Sequence, residues 1–278
     1  MHKRTQALLL TLSLVTLSAC GGAVPAADPG TGSGTGGGTE GKPGKPTPNT
    51  VSGRVLDVRG DPVPGVKLII EPAMFRGTVF TSTGTDGKYQ SIELNPATNP
   101  YYVSAYKEVN YHDRQYCLRM AGDPEPYKDA FNASAGVIRN FRWKISGPSD
   151  QTNDNIGSGF WGGSLALLNT FTDPDEAVDR SAQVEVTLVP DGPLIDGSTG
   201  TTIKRVTSVD KALQDIPVGY YTLTAALVNA DGSQTPLSVS RTNTEESLRP
   251  SAKVLFNGYD SCGHSGTLVK TYFWIARP

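Results

Sequence analysis

The residues best suited to acid–base or nucleophilic chemistry are few and far apart in this chain. Of three histidines in 278 residues, His112 precedes an aspartate and His264 lies in the run SCGHSG at residues 261–266. A hydrolase needs a nucleophile within hydrogen-bond reach of a base that a third group orients. Residues 263–267 lack the final glycine of a G-x-S-x-G elbow. The sequence therefore predicts no catalytic site, and we expect a protein that is not an enzyme.

The cysteines offer either a covalent link or a metal site. Cys20 belongs to the N-terminal segment, so Cys117 and Cys262 remain as a pair. In an oxidising compartment, a disulfide between them is the simplest interpretation. The alternative is zinc bound by these cysteines together with His112 and His264, although no Cys-x-x-Cys or His-x-x-x-His spacing supports it.

Two acidic clusters are candidate calcium ligands. One contains Asp150 and Asp154, and the other contains Asp173, Glu176 and Asp179. Carboxylate oxygens suit Ca²⁺, but neither cluster has the regular register of an EF-hand loop with its terminal glutamate. A solvated loop is the simpler interpretation in both cases. We predict no bound metal and no cofactor.

Aromatic residues at outward positions are the best candidates for a binding surface. Tyr102 and Tyr106 lie four residues apart in a run of alternating residues, so they share one face of a strand at a spacing of about 13 Å. Trp161 is a third candidate, at the start of the second half of the chain. Aromatic platforms stack on sugar rings or anchor protein partners. The alternative is that these rings cover a seam between two domains. Further aromatic residues with the same two interpretations are Tyr111, Tyr116, Phe160, Tyr220 and Tyr259.

The N-terminus carries an export and anchoring signal. A basic start is followed by an apolar run at residues 7–16 that is too short to span a bilayer, as in a secretory signal peptide. Residues 17–20 read LSAC and resemble a bacterial lipobox, in which Cys20 is acylated and becomes the new N-terminus. Several acyl chains on one residue anchor a protein firmly. We expect residues 1–19 to be removed and the protein to face outside the cytoplasm. Because glycine rather than aspartate follows Cys20, the outer membrane is the expected site if the cell has one.

Composition narrows the class of protein and the class of partner. Residues 20–50 are nearly all Gly, Thr, Pro, Ser and Ala with a few charges, which predicts a flexible linker. The chain has 25 basic and 27 acidic side chains, a formal net charge of −2. Since it also has no basic run, we do not expect nucleic acid as a partner. With 31 glycines and 20 prolines and no long helical periodicity, the remaining residues predict an all-β protein.

Residues 51–148 predict a small antiparallel β-sandwich. Apolar residues alternate in runs that begin at Val51 and Val66, and turn residues such as Gly60 and Pro62 separate these runs. This pattern resembles the carboxypeptidase-regulatory-like (transthyretin-like) family, which implies a β-sandwich module and no particular activity. The resemblance rests on Gly53, Val55, Asp57, Gly60, Pro62, Val63, Gly65, Val66, Leu68, Thr83, Asp86, Gly87, Tyr89, Tyr101, Val103 and Ala105. We expect the alternating apolar members to face the core.

Residues 149–278 predict a second β-sandwich of related type, beyond a polar, turn-rich boundary near residues 148–158. Residues 216–225 are similar to the family's P-x-G-x-Y-x-L-x-A element. The resulting counterparts are Tyr221 with Tyr101, Leu223 with Val103, and Ala225 with Ala105. Strands are predicted at residues 163–168, 182–189, 204–209, 219–228, 252–256 and 268–275.

Together these features predict a cell-envelope lipoprotein with a structural, adhesive or recognition role that β-sandwich modules carry out without catalysis. Its expected partners are the membrane, through the lipid anchor, and an envelope protein or polysaccharide. The alternative is a carbohydrate-binding or accessory subunit that works beside an envelope enzyme.

Overall fold

Alternation along the predicted strands places the expected apolar side chains in a core. The computed structural model describes residues 46–124, 129–150, 159–170, 174–209, 211–263 and 268–278. The inward positions predicted for the first half are all buried: Val55, Val66, Leu68, Ile70, Tyr89, Tyr101, Val103 and Ala105. Regular structure in these ranges consists of β-strands and three short 3-10 turns at Pro96–Thr98, Pro174–Glu176 and Glu245–Ser247. The predicted all-β fold is confirmed.

Several predicted features lie outside the described residues. These are the signal segment, Cys20 and the linker up to residue 45, together with Asp154, Asp173 and His264. Among the residues that are described, no helix has the length and apolar character needed to cross a bilayer. Anchoring through Cys20 stays a prediction.

The first half of the described chain forms two sheets that bury a common core. Its strands are β1 (Val51–Asp57), β2 (Lys67–Pro72), β3 (Val79–Ser82), β4 (Lys88–Gln90), β5 (Tyr101–Tyr111), β6 (Arg114–Arg119), β7 (Ala121–Asp123), β8 (Val137–Ile138) and β9 (Asn140–Trp143). One sheet has the order β4-β1-β9-β7, with β8 also pairing with β1, and the other has the order β3-β2-β5-β6. The turn after β1 therefore leads from one sheet to the other.

The described residues of the second half form ten strands. They are β10 (Gly163–Asn169), β11 (Val184–Pro190), β12 (Ile203–Thr207), β13 (Ala212–Ile216), β14 (Tyr220–Val228), β15 (Gln234–Ser240), β16 (Ala252–Leu255), β17 (Asn257–Gly258), β18 (Leu268–Val269) and β19 (Thr271–Ala276). The main order is β12-β11-β14-β15-β19-β10-β13, with β16 also pairing with β14 and a small β17-β18 ribbon. The sequence predicted neither β13 nor β15, because β13 is only five residues long and β15 contains Pro236, which weakens a strand pattern.

The two halves share one strand order. In each half the first strand pairs in parallel with the last, β1 with β9 and β10 with β19, and antiparallel with a short strand, β4 or β13. The central strand, β5 or β14, lies next to the hairpin β2-β3 or β11-β12. On its other side runs a strand that passes to the opposite layer. This strand is broken at Met120 into β6 and β7 in the first half and is the continuous β15 in the second.

Two glycines of the family-like motif allow close approaches between strands. A side chain at Gly53 would place its Cβ 1.9 Å from the carbonyl oxygen of Arg139, the residue between β8 and β9. Gly87 has φ +72°, and a Cβ there would lie 2.6 Å from the carbonyl oxygen of Val55. Glycine is required at both positions because the obstacle is backbone that cannot rotate away.

A buried threonine of the motif holds the turn before β2. The Thr83 hydroxyl donates to the carbonyl oxygen of Val63 at 2.8 Å and accepts from the backbone nitrogen of Val66 at 2.9 Å. One side chain thereby satisfies two buried backbone groups that no strand partner reaches.

Asp57 holds the turn that leaves β1. Its Oδ1 accepts from the backbone nitrogens of Arg59 and Asp61, each at 2.9 Å, and its Oδ2 bonds the Arg59 side chain. Burial alone would raise the pKa of Asp57, but the hydrogen bonds from Asp61 and Arg59 outweigh it and lower the pKa. The folded protein thus stabilises the ionised form of the Asp57 side chain.

Candidate functional site

The outer face of the β3-β2-β5 sheet carries an exposed aromatic surface. Tyr102 on β5 is 46% exposed and Phe80 on β3 is 58% exposed. Ile69 lies between them on β2, where it pairs with Phe80. We call these three residues the aromatic face. Lys67 Nζ lies 5.2 Å from the centroid of the Phe80 ring, within range of a cation–π contact. Tyr102 and Phe80 lie two strand spacings apart across the sheet, about 10 Å, and they are staggered by two residues along it, because Ile69 pairs with Ser104 rather than with Tyr102.

The hairpin that joins β2 to β3 extends the exposed apolar surface. Met74 is 80% exposed and Phe75 is 53% exposed, and the backbone nitrogen of Ala73 donates to the carbonyl oxygen of Pro100 at the start of β5. The sequence prediction missed these residues and Phe80. A signal for Phe80 was present, since alternation along residues 79–82 places it opposite to the partly buried Val79.

Tyr106 and Trp161 were predicted as parts of the binding surface, and the structure contradicts both predictions. Tyr106 is 4% exposed and Trp161 is 1% exposed. Arg119 lies opposite Tyr106 on β6, and its guanidinium carbon lies 4.8 Å from the centroid of the Trp161 ring. Arg119 also pairs with the buried Asp150. The second half covers this end of the sheet, so Tyr102 is the one predicted surface residue that stays exposed.

A disulfide crosses the contact between the halves, which we call the seam. It joins Cys117 on β6 to Cys262, with their Cα atoms 5.2 Å apart and a sequence separation of 145 positions. The backbone nitrogen of Cys117 also donates to the carbonyl oxygen of Tyr259 at 2.7 Å. Glu108 Oε1, on β5, lies 3.4 Å from Cys262 Sγ. In this arrangement the two sulfur atoms are bonded to each other rather than to a metal.

Tyr116 fills the seam beside the disulfide. Its hydroxyl donates to the carbonyl oxygen of Phe256 at 2.6 Å, and burial raises the pKa of Tyr116 to about 12. A Cβ at Gly258 would lie 2.3 Å from the Tyr116 ring, so glycine lets the ring lie against this backbone. Next to it, the Arg114 guanidinium donates to the side-chain oxygen of Asn257.

The turn between β5 and β6 packs against the second half through aromatic rings in edge-to-face and tilted contacts. The Tyr111 hydroxyl donates to the carbonyl oxygen of Pro193 at 2.8 Å and accepts from the backbone nitrogen of Tyr220 at 2.9 Å. The His112 ring lies 4.5 Å from the Tyr111 ring and 4.2 Å from the Tyr220 ring, centroid to centroid. These contacts give His112 a packing role at the seam, far from the arrangement that a general base requires.

Of the acidic residues considered for calcium, Asp150 forms the ion pair with Arg119, and Asp179 makes local contacts. Asp179 accepts from the side chain and, at 2.7 Å, from the backbone nitrogen of Ser181, and these bonds lower the pKa of Asp179. Within the described ranges, one group of three metal-ligand side chains has its ligand atoms within 4.8 Å of one another: Glu108, Cys117 and Cys262.

No family model matches the chain, and no curated protein matches it. The carboxypeptidase-regulatory-like resemblance therefore stays a prediction. Among solved structures, the chain is similar to the Bacillus anthracis TIE protein, with 12% identity and a TM-score of 0.32, over 82% of this chain and 34% of that one. It is similar to a streptococcal ancillary pilin at 10% identity and a TM-score of 0.26, over 83% and 62% of the two chains. It is similar to BcpA, the major pilin subunit of Bacillus cereus, at 12% identity and a TM-score of 0.23, over 76% of this chain and 86% of that one. The chain thus spans less than two-thirds of the first two proteins.

Proposed function

We propose that this protein is a non-enzymatic recognition module of a bacterial cell envelope. A lipid on Cys20 would hold it at a membrane, and the linker would carry the folded part clear of the headgroups, with a reach of about 30 Å for some 30 flexible residues. The observation that carries the proposal is the aromatic face, where Phe80 and Tyr102 are each about half exposed on a hydrogen-bonded sheet.

The aromatic face is preorganised for contact. β2 pairs with β3 on one side and with β5 on the other, and its inward residues Leu68 and Ile70 are fully buried. Aromatic rings bury a large area while losing few rotatable bonds. Because the supporting sheet does not have to order itself on binding, the entropic cost of binding a partner is smaller.

The rim of the aromatic face is polar and carries both charges. Lys67 lies beside Phe80, and Glu71 pairs with Tyr102 across the ladder while Ser104 pairs with Ile69. An apolar centre with a polar rim is the composition of a protein-binding surface, so an envelope protein is the first candidate partner. A polysaccharide is the second, because hydroxyl and carboxylate groups beside exposed rings also suit a sugar.

Binding to envelope fractions tests the proposed surface. The double variant Phe80→Ala, Tyr102→Ala should lose at least about tenfold in affinity for its partner, as expected when two anchor residues are removed. Tyr272→Ala is the matched control, because that tyrosine is 44% exposed on the second half, and it should bind like the wild type. Parallel incubation with envelope polysaccharides on a glycan array separates the two candidate partners. Equal binding by the double variant and the control would refute the role of the aromatic face.

The anchor has a separate test. Palmitate labelling of cells that express the full chain should mark the protein, and Cys20→Ser should abolish the label. Protease treatment of whole cells should then remove the folded part if it faces outward. An unlabelled wild-type protein in the cytosol would refute the proposed location without bearing on the aromatic face.

A further inference from the structure

The carboxylate of Glu108 lies beside the disulfide at the seam, although a disulfide does not require a neighbouring carboxylate. Glu108 Oε1 lies 3.4 Å from Cys262 Sγ, and the carboxylate and both sulfurs lie within 4.8 Å of one another. Glu108 is exposed, so it makes this approach without being forced by burial. Two sulfurs and one carboxylate oxygen are a ligand set that Zn²⁺ accepts, with a fourth position left for water.

Contacts other than the disulfide hold Cys117 and the segment that leads to Cys262 at the seam. The backbone nitrogen of Cys117 donates to the carbonyl oxygen of Tyr259. The Tyr116 hydroxyl donates to the carbonyl oxygen of Phe256, and Arg119 pairs with Asp150 in a buried ion pair. After reduction, these contacts keep the two thiols facing each other, and a side-chain rotation suffices to separate the sulfurs to the distance that one metal ion requires.

The two sulfurs differ in their access to solvent. Cys117 is 2% exposed, whereas Cys262 is partly exposed. An open cleft of about 530 Å³ is lined by Asn257, Tyr259 and Asp260, which shortly precede Cys262 in the sequence, and by Arg114 on β6, among others. Thiol–disulfide exchange starts with attack of a thiolate on an accessible sulfur. Cys262 Sγ is therefore the point of attack, and Cys117 Sγ is the leaving group.

We infer that the Cys117–Cys262 pair is a redox-gated site for a thiophilic divalent cation such as Zn²⁺, with Glu108 as the third protein ligand. A dithiol reductant attacks Cys262 Sγ as its thiolate, the S–S bond breaks, and the electron pair leaves on Cys117 Sγ, which takes up a proton. The second thiol of the reductant then displaces Cys262 from the mixed disulfide. The protein gains two electrons and two protons while the dithiol becomes a cyclic disulfide. The cation then displaces both thiol protons to solvent.

Glu108 has opposite effects on the two steps. Its negative charge beside Cys262 repels an incoming thiolate and slows reduction. Once both cysteines are free, the same charge attracts the cation and supplies a ligand. A substitution that removes the charge therefore accelerates opening and weakens metal binding, a combination that a purely structural role for Glu108 does not produce.

Cadmium titration of the mature protein, reduced with dithiothreitol and then freed of it, tests the site. The reduced wild type should bind one Cd²⁺ per chain with a thiolate-to-metal charge-transfer band in the ultraviolet, and Zn²⁺ should displace it. The disulfide-bonded protein should show no such band. Glu108→Gln should bind at least about tenfold more weakly, and its disulfide should be reduced about threefold faster. Glu93→Gln, which neutralises an exposed carboxylate elsewhere in the first half, should match the wild type in both measurements.

Three results would overturn the inference. The first is a reduced protein that stays folded by near-ultraviolet circular dichroism but shows no charge-transfer band. The second is loss of the folded signal on reduction, because the site requires the seam to persist without the disulfide. The third is a Glu108→Gln variant that binds Cd²⁺ as tightly as the wild type.

Discussion

The two halves of the molecule have the same strand order but support it with different residues. Both first strands carry a glycine against a close neighbour. A Cβ at Gly53 would meet the Arg139 carbonyl oxygen, whereas a Cβ at Gly163 would meet the Phe256 ring at 2.5 Å. The turn residues Asp57 and Thr83 of the first half lack predicted counterparts in the second. The same topology is thus supported by different turns and by different close contacts.

What the halves share most closely is the start of the central strand. The Tyr101 hydroxyl donates to the carbonyl oxygen of Asn95 at 2.9 Å, and the Tyr221 hydroxyl donates to that of Pro217 at 2.7 Å. Each arrangement resembles the tyrosine corner of immunoglobulin-like sandwiches. Each tyrosine also pairs antiparallel with a later segment, at Phe131 or Val254. A buried ring fixes the core while its hydroxyl fixes the loop that enters the strand.

The halves differ most on their outer faces. The first half presents the aromatic face together with Met74 and Phe75, whereas the exposed large apolar residues of the second half are Val189, Val206, Val269 and Tyr272. The two halves therefore have the same strand order but different roles in the molecule. The first half presents a candidate contact surface, and the second half covers the far end of the same sheet through the seam.

The largest expected effect concerns the buried ion pair between Arg119 and Asp150 at the seam between the halves. Asp150→Ala leaves the Arg119 guanidinium buried without its partner and should lower the free energy of unfolding by about 3–5 kcal/mol. Asp191→Ala is the control, because its ion pair with Lys253 is about half exposed and should contribute less than about 1 kcal/mol. Urea unfolding followed by tryptophan fluorescence measures both. A similar, small loss in the two variants would show that the buried ion pair at the seam contributes no more than an exposed one.

The next effect concerns the first-strand glycines. Gly53→Ala should destabilise the protein by about 2–3 kcal/mol, because the new methyl group meets a fixed backbone carbonyl and the strands must separate. Gly147→Ala, at a partly buried bend where no atom lies within 4 Å of a Cβ, should cost less, although its φ of +95° is unfavourable for alanine. Thermal denaturation compares them. Equal losses at both positions would mean that strain rather than close approach decides the cost.

The two tyrosine corners should contribute similar, smaller amounts. Tyr101→Phe and Tyr221→Phe each remove one hydroxyl from a buried hydrogen bond and should cost about 1–1.5 kcal/mol. Chemical denaturation of the single variants and of the double variant measures whether the losses add, as expected for distant sites. If removing one of the two hydroxyls left the free energy of unfolding unchanged, the two central strands would be equivalent in geometry but not in their contribution to stability.

The smallest effect depends on pH and belongs to the first half alone. The folded pKa of Asp57 is lowered, so its stabilisation is fully present above the unfolded pKa and is lost as the pH falls through the folded pKa. Asp57→Asn should cost about 1 kcal/mol at neutral pH. The difference between variant and wild type should shrink in acid below the unfolded value of about 3.9. A difference that stays constant into strong acid would refute the role of the charge.

The sequence by itself determined the all-β class, the inward positions from Val55 to Ala105 and the equivalence of Tyr101 with Tyr221. These properties follow from alternation and turn residues, which act between neighbours in the chain. Local pattern also placed Tyr102 outward correctly.

Only the tertiary structure decided which outward residues stay in solvent. Tyr106 lies four residues after Tyr102 in the same strand, yet it is covered because Arg119, Asp150 and Trp161 meet over it. The parallel pairing of β1 with β9 likewise joins residues 86 positions apart, such as Val55 and Phe141. Alternation tells which side of a strand a residue faces. What covers that side is set by distant segments, whose positions depend on packing of the whole fold rather than on local pattern.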